Sequence, residues 1–203
     1  MTLCAALTAG SLILVLVMNV ITPPFFGQQG FSLRPIEVLD IPDWYEYLRS
    51  PEMMAYQGWQ VRSAADLAPL IQVCRSEAPD SPLRLAIVDD ELGRLAGTIG
   101  LGEVSQRNRS AELDFDLAPA YRGRGLAAAA CRALTGWALG PCGLFRLQAV
   151  VWDGNSRAQQ VLRGCGFQLE GRLRAYRQLG DKPGDFLMFS RLASDPAPDA
   201  KQS

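Results

Sequence analysis

Two stretches of the chain hold residues whose types and spacing suit chemistry. The first is Tyr121-Arg122-Gly123-Arg124-Gly125-Leu126-Ala127. It follows a strand-like run, residues 111–117, and opens an apolar, alanine-rich helix predicted over 126–139. A glycine-rich turn at a helix start points several unpaired backbone N–H groups outward, with the positive end of the helix dipole behind them. Phosphate oxygens fit such a site. Arg122 and Arg124 add permanent charge and forked donors. The expected ligand is a phosphorylated cofactor. The second stretch is the 111–117 run itself. Glu112, Asp114 and Asp116 alternate, so a strand places all three carboxylates on one face and Leu113, Phe115 and Leu117 on the other. Three acids on one face attract a cationic amine and raise one another's pKa. A solvated edge of charge is the plainer reading of any one of them.

The totals exclude several other chemistries. Among 203 residues there is no histidine, which removes Ser-His-Asp and Cys-His catalysis and any histidine-ligated zinc. The five cysteines, Cys4, Cys74, Cys131, Cys142 and Cys165, form no C-x-x-C pair and are odd in number. Buried or incidental thiols in a reducing, cytoplasmic setting are expected, with neither a disulfide framework nor a metal site. A net charge of −1 argues against a general nucleic-acid binder. An apolar share of 48% fits a globular protein with a core.

The elements that must position these residues read as an α/β chain. Strands are expected at 31–36, 83–88, 95–104, 111–117, 146–152, 167–173 and 186–192. The third of these contains Gly97, Gly100 and Gly102. Short helical pieces are expected at 41–48 and 51–56. Ser63-Ala64-Ala65-Asp66 reads as a capping box before a helix reaching about Glu77. Gly140-Pro141 stops the helix that follows the glycine turn, and Gly166 stops another at 155–165. The pattern is an antiparallel front half followed by strand–helix–strand–helix–strand, in one domain over 31–192. Before it, no charged side chain precedes Arg34, and residues 3–21 are almost wholly apolar. That length just suffices to span a bilayer. Three readings stand: a membrane anchor, a segment packed on the domain, or a start assigned too early, with Met18 the true first residue. Residues 193–203 read as a disordered tail.

The residues then carry a resemblance. Arg122-Gly123-Arg124-Gly125-Leu126-Ala127 resembles the (Arg/Gln)-x-x-Gly-x-(Gly/Ala) signature of the GNAT superfamily of acetyl-CoA-dependent N-acetyltransferases. Asn155, Ala158, Val161, Leu162, Gly166 and Phe167 match that superfamily's N-x-x-(S/A)-x-x-(V/L)-(L/Y)-x-x-x-G-F segment. Leu33-Arg34-Pro35-Ile36, residues 50–56, residues 170–174 and residues 185–189 resemble the RimJ/RimL branch, which includes ribosomal-protein N-terminal acetyltransferases and many uncharacterised relatives. The likeness covers roughly 31–192.

The resemblance implies a mixed, mostly antiparallel sheet of six or seven strands flanked by helices. Two central strands, 111–117 and 146–152, splay apart and admit acetyl-CoA as cosubstrate. Its pyrophosphate would lie on Gly123, Arg124, Gly125, Leu126 and Ala127, its pantetheine arm along Phe115, Asp116 and Leu117. Asn155 would bind the cofactor or simply cap its helix. The reaction implied is attack of a primary amine, of a protein N-terminus or a small molecule, on the thioester. Glu112 is the first choice of base and Asp114 the second. Where some relatives carry a tyrosine acid this chain has Leu162, and where many carry a serine it has Ala158. Proton return then falls to water or to Tyr176. Trp44, Tyr45, Tyr47 and Trp59 fall in the segment that lines the acceptor site in relatives, with core packing as the alternative. Arg172, Arg174 and Arg177 read as a solvated face or as partners for phosphate or an acidic substrate. A non-catalytic acyl-CoA-binding module is the second functional reading; a nucleotide-binding oxidoreductase fits less well, for the chain has no dinucleotide-type start. A monomer or a homodimer is expected.

Overall fold

The computed structural model describes residues 23–54, 61–76, 78 and 80–198, so the apolar run at 3–21, Trp59 and the end of the tail lie outside the described residues. Alternating and buried apolar runs build seven strands: β1 Phe31–Pro35, β2 Leu83–Asp89, β3 Arg94–Ser105, β4 Ser110–Leu117, β5 Arg146–Trp152, β6 Gln168–Leu179 and β7 Lys182–Leu192. The helices are α1 Ile41–Leu48, α2 Pro51–Met54, α3 Ala68–Cys74, α4 Leu126–Leu139 and α5 Ser156–Gly164. The strands form one sheet in the order β1-β2-β3-β4-β5-β7-β6. Every neighbouring pair is antiparallel except β4 and β5.

Each face of the sheet buries its own apolar cluster. Leu85, Ile87, Ile99, Leu101 and Leu113 pack with Leu126, Ala130 and Leu134 of α4 and Leu162 of α5. On the other face Ala86 and Val88 meet Trp44 and Leu48 of α1 and Ile71 of α3. The strand period of two therefore sorts β4 as well. Its acids look toward α1 and α3, and Leu113, Phe115 and Leu117 toward α4 and α5. Among the described residues no helix is long and apolar enough to cross a membrane.

Three differences from the sequence reading have physical causes. The Ser63–Asp66 capping box closes a 3-10 turn, Ala64–Leu67, and α3 follows it only as far as Cys74. Strands β6 and β7 are longer than expected and form an extended hairpin; the sequence does not reveal the added length because β6 is exposed along most of it and lacks an apolar period. A bulge holds that hairpin: Ala175 sits at φ 51°, and its N–H donates to Asp185 at 2.7 Å. Residues 193–198, expected within a disordered tail, fold back instead. The Ala193 N–H donates to the Phe145 carbonyl at 2.9 Å, and Arg191 reaches the Pro196 carbonyl at 3.3 Å.

What matters for the site is where the sheet opens. β4 and β5 pair through Ser110↔Arg146, Ala111↔Leu147 and Glu112↔Gln148, and then part. β3 holds β4 as far as Leu117, and β7 holds β5 as far as Trp152. Gly97 lets β3 approach that end of β4 closely. A Cβ there would press on the Asp116 carbonyl oxygen and lie 2.6 Å from Leu117 Cδ2. Gly97→Ala is expected to lower stability by about 1–3 kcal/mol, read as an earlier urea midpoint at unchanged slope. An unchanged midpoint would show that β4 is free to move away.

Candidate active site

The glycine turn is built by backbone conformation. Gly123 and Gly125 both take φ 76°, which costs an L-residue about 1–2 kcal/mol. Space is not the reason, since a Cβ at either position meets nothing within 4 Å. Gly125 is the N-cap of α4, and no side chain caps the helix. The first bond of the α4 ladder runs from the Ala129 N–H to the Gly125 carbonyl at 3.0 Å, so the N–H groups ahead of it have no acceptor inside the helix. Gly123, Gly125, Leu126 and Ala127 line a cleft of about 1380 Å³ that runs into the fork between β4 and β5. Phe115, Asp116 and Leu117 line it too, on the stretch of β4 that β5 no longer pairs.

The two arginines of the turn have different surroundings. Arg122 lines the cleft and is ion-paired to Glu52 of α2. It also donates to Met53 Sδ at 2.8 Å. Glu52 accepts from Arg157 of α5 at 3.1 Å as well. The Arg122 hydrogen bond and charge hold the Glu52 carboxyl below its usual range. Arg124 instead lies over the Tyr121 ring, 5.2 Å from its centroid.

The three acids of β4 share one face, as alternation predicts, but their partners differ. Asp116 accepts from the Tyr47 hydroxyl of α1 and, at 3.1 Å each, from the Thr98 N–H and hydroxyl. Burial pushes its pKa up, against the pull of Arg84, Tyr47 and Thr98. Its side chain therefore fastens α1 to β3 and β4. Asp114 is ion-paired to Arg84 of β2 at 2.6 Å. Glu112 is largely enclosed, its side chain 15% exposed; Arg177 of β6 lies 3.3 Å away and Gln148 of β5 donates at 3.5 Å. Burial raises the Glu112 pKa, and the Arg177 charge with the Gln148 and Arg177 hydrogen bonds restrains the rise. A carboxylate raised in this way is suited to take a proton.

Other predicted residues fall on both sides of the cleft wall. Asn155 lines it and also caps α5, its Oδ1 accepting from the Ala158 N–H at 3.1 Å. Ala158 lines the cleft, whereas Leu162 is fully buried in the core. Tyr176 is 45% exposed on the hairpin, its ring edge-on to Phe186 at 5.9 Å. Phe186 lines the cleft; Tyr176 is not among the lining residues. Of the acceptor-segment aromatics, Trp44 and Tyr47 are buried, and Trp44 reaches the cleft. Sequence reasoning missed Arg84 and Glu52, and read Arg177 as part of a solvated face or as a partner for phosphate or an acidic substrate. Arg84 had a signal: it is the one charge inside the apolar run Leu83-Arg84-Leu85-Ala86-Ile87-Val88, and a charge in a central strand needs a partner. Glu52 had none, because its partners lie 70 and 105 residues further along the chain.

The sequence and the fold match known proteins. The acetyltransferase (GNAT) domain family matches residues 31–168. The uncharacterized N-acetyltransferase YoaA of Bacillus subtilis is 31% identical, with 82% of this chain and 96% of that protein covered. The ribosomal-protein-S5-alanine acetyltransferase of Vibrio fischeri has the same fold at a TM-score of 0.75 and 17% identity, over 86% of this chain and 98% of that one. So does the spermidine N-acetyltransferase of Vibrio cholerae, solved with CoA and spermine, at a TM-score of 0.73 and 22% identity over 82% and 98%. A forked sheet with a glycine turn at its mouth and a family match across most of its domain together make the chain a member of the GNAT acetyltransferases.

Proposed function

We propose that the protein transfers an acetyl group from acetyl-CoA to a primary amine, with Glu112 as the proton acceptor. The reading rests on one observation: the fork between β4 and β5 has uncapped helix N–H groups at one end and an enclosed carboxylate at the other. Acetyl-CoA supplies an activated acyl carbon. Gly123 to Ala127 would take its pyrophosphate on backbone N–H groups, and the unpaired edge of β4 from Phe115 to Leu117 would take its amide arm as an added strand. A backbone N–H near Leu117 would face the thioester oxygen as it gains charge. The amine must be neutral to attack, which favours an α-amino group, with pKa about 8, over lysine at about 10.4. Glu112 takes that proton directly or through water, with Asp114 as second choice. The departing thiolate is reprotonated by water or by Tyr176 from the neighbouring hairpin.

The decisive measurement pairs calorimetry of CoA binding with a thiol-release assay over a panel of amines. Binding with amine-dependent release supports the enzyme. Binding without release for every amine favours a non-catalytic acyl-CoA module, a reading to which Leu162 and Ala158, with no hydroxyl to give a proton, lend some support.

Glu112→Gln is expected to lower kcat about 100-fold or more, within the usual range for a general base, with CoA affinity retained. The base works ionised, so activity falls as pH drops through the Glu112 pKa, and burial places that acid limb above the ordinary glutamate range. Arg177→Met removes the charge that favours the ionised form and is expected to move the limb higher still. A limb that stays put would break the link between the two side chains. Glu52 competes with cofactor phosphates for Arg122 and Arg157. Because the pairs are partly exposed, Glu52→Gln should tighten CoA binding only about two- to five-fold; weaker binding would instead make Glu52 part of the grip.

A further inference from the structure

The wall of the cleft on the acceptor side is apolar and its charges are already matched. Leu70 and Val73 of α3 line it, yet remain 41% and 52% exposed, and Pro82 and Trp44 lie beside them. Two half-exposed aliphatic side chains on the lining of one cleft offer a surface on which an apolar body can rest. The carboxylates that line the cleft tell the same story. Among the described residues each has its partner: Glu112 has Arg177, Asp114 has Arg84, and Glu52 has Arg122 and Arg157. Asp116 is occupied by Tyr47 and Thr98. The described lining holds as many arginines as acids, and its formal charge is zero.

A site for a polycation needs several carboxylates free to meet separated positive charges. Here Glu112 and Asp114 would each have to leave an arginine behind, and Asp116 its Tyr47 and Thr98 hydrogen bonds, in a partly desolvated cleft, which is unfavourable. A single amine that arrives protonated and then loses its proton asks much less. It needs one acid, and Glu112 with Asp114 beside it on the same face supplies that.

Resting on the acetyl-transfer reading, we propose that the acceptor is an apolar monoamine. It is a primary amine carried on an aliphatic or aromatic body, with no second cation within reach. The amine lies toward Glu112 and Asp114, and the body rests on Leu70, Val73, Pro82 and Trp44. This sets the chain apart from its similar protein solved with spermine. The same chemistry is presented by a free arylalkyl or alkyl amine and by a peptide N-terminus whose first side chain is apolar.

The test uses the full chain with saturating acetyl-CoA and reads thiol release with phenethylamine, leucinamide, spermidine, and tetrapeptides beginning with Leu or Asp. Expected is a kcat/KM roughly tenfold or more above that of spermidine for the apolar monoamines, and a similar margin for the Leu over the Asp peptide if peptides are used. Phenethylamine and the Leu peptide separate the two sources. Val73→Asp and, as a second variant, Leu70→Gln change exposed side chains. Each should raise KM for the apolar acceptors about tenfold, leave the CoA Kd unchanged, and improve spermidine relative to phenethylamine. Spermidine as the best acceptor overturns the proposal, as does an unmoved KM in both variants or the absence of turnover with every monoamine while CoA still binds. Failure to bind CoA at all would instead sink the acetyl-transfer reading beneath it.

Discussion

Three residue pairs join β4 to β5, and their separation after Glu112 and Gln148 is the constraint from which the site follows. Neither strand is loose beyond that point. β3 keeps β4 in register to Leu117, and β7 keeps β5 in register to Trp152. The two strands are therefore steered apart by their other neighbours. Backbone groups left without a partner away from water cost about 1–3 kcal/mol each, so a gap of this kind persists only where solvent or a ligand meets them. The start of α4 repeats the same deficit, with Gly125 as an N-cap that offers no side chain. Two sets of unmet donors thus converge on one cleft. They suit an extended, amide-bearing ligand with an anionic end, the shape of the acetyl-CoA proposed above.

Charge does the second half of the work by tying separate elements together. Through its acids β4 reaches β2 at Arg84, β6 at Arg177 and α1 at Tyr47. The missing side chain of Gly100 makes the first of these reachable. Arg84, Gly100 and Asp114 are successive register partners across β2, β3 and β4, so the guanidinium crosses directly over the glycine. A Cβ on Gly100 would sit 3.3 Å from Arg84 Cζ and 2.6 Å from the Leu83 carbonyl. The outcome is three carboxylates of one strand in three unlike environments. Asp116 is fixed by hydrogen bonds, Asp114 is paired and half-exposed, and Glu112 is paired but largely enclosed, with burial raising the proton affinity of Asp116 and Glu112.

Local patterns made much of this legible in the sequence. The helix over Leu126–Leu139 and the strand over Arg146–Trp152 were expected within the observed bounds, because apolar period, glycine start and Gly-Pro stop all lie within a few residues of each other. The common face of Glu112, Asp114 and Asp116 was legible for the same reason. The partners of those acids were not: Arg177 lies 65 residues beyond Glu112, and Tyr47 lies 69 before Asp116. Composition and periodicity do not encode pairings made only by tertiary contact. The outer part of the β6–β7 hairpin was illegible for the opposite reason. Exposed on most of its length, it carries no apolar alternation to announce a strand, and so the surroundings of Tyr176 could not be foreseen.

The strand order also bears on how the protein is born. β7 sits between β5 and β6, and past Gln148 it is the strand that anchors β5. During synthesis the N-terminal strands can pair as they emerge, but the far wall of the fork has no ladder until β7 has followed β5 and β6. A nascent polypeptide that has not yet reached β7 thus presents a glycine turn whose facing strand, β5, has no ladder beyond Gln148.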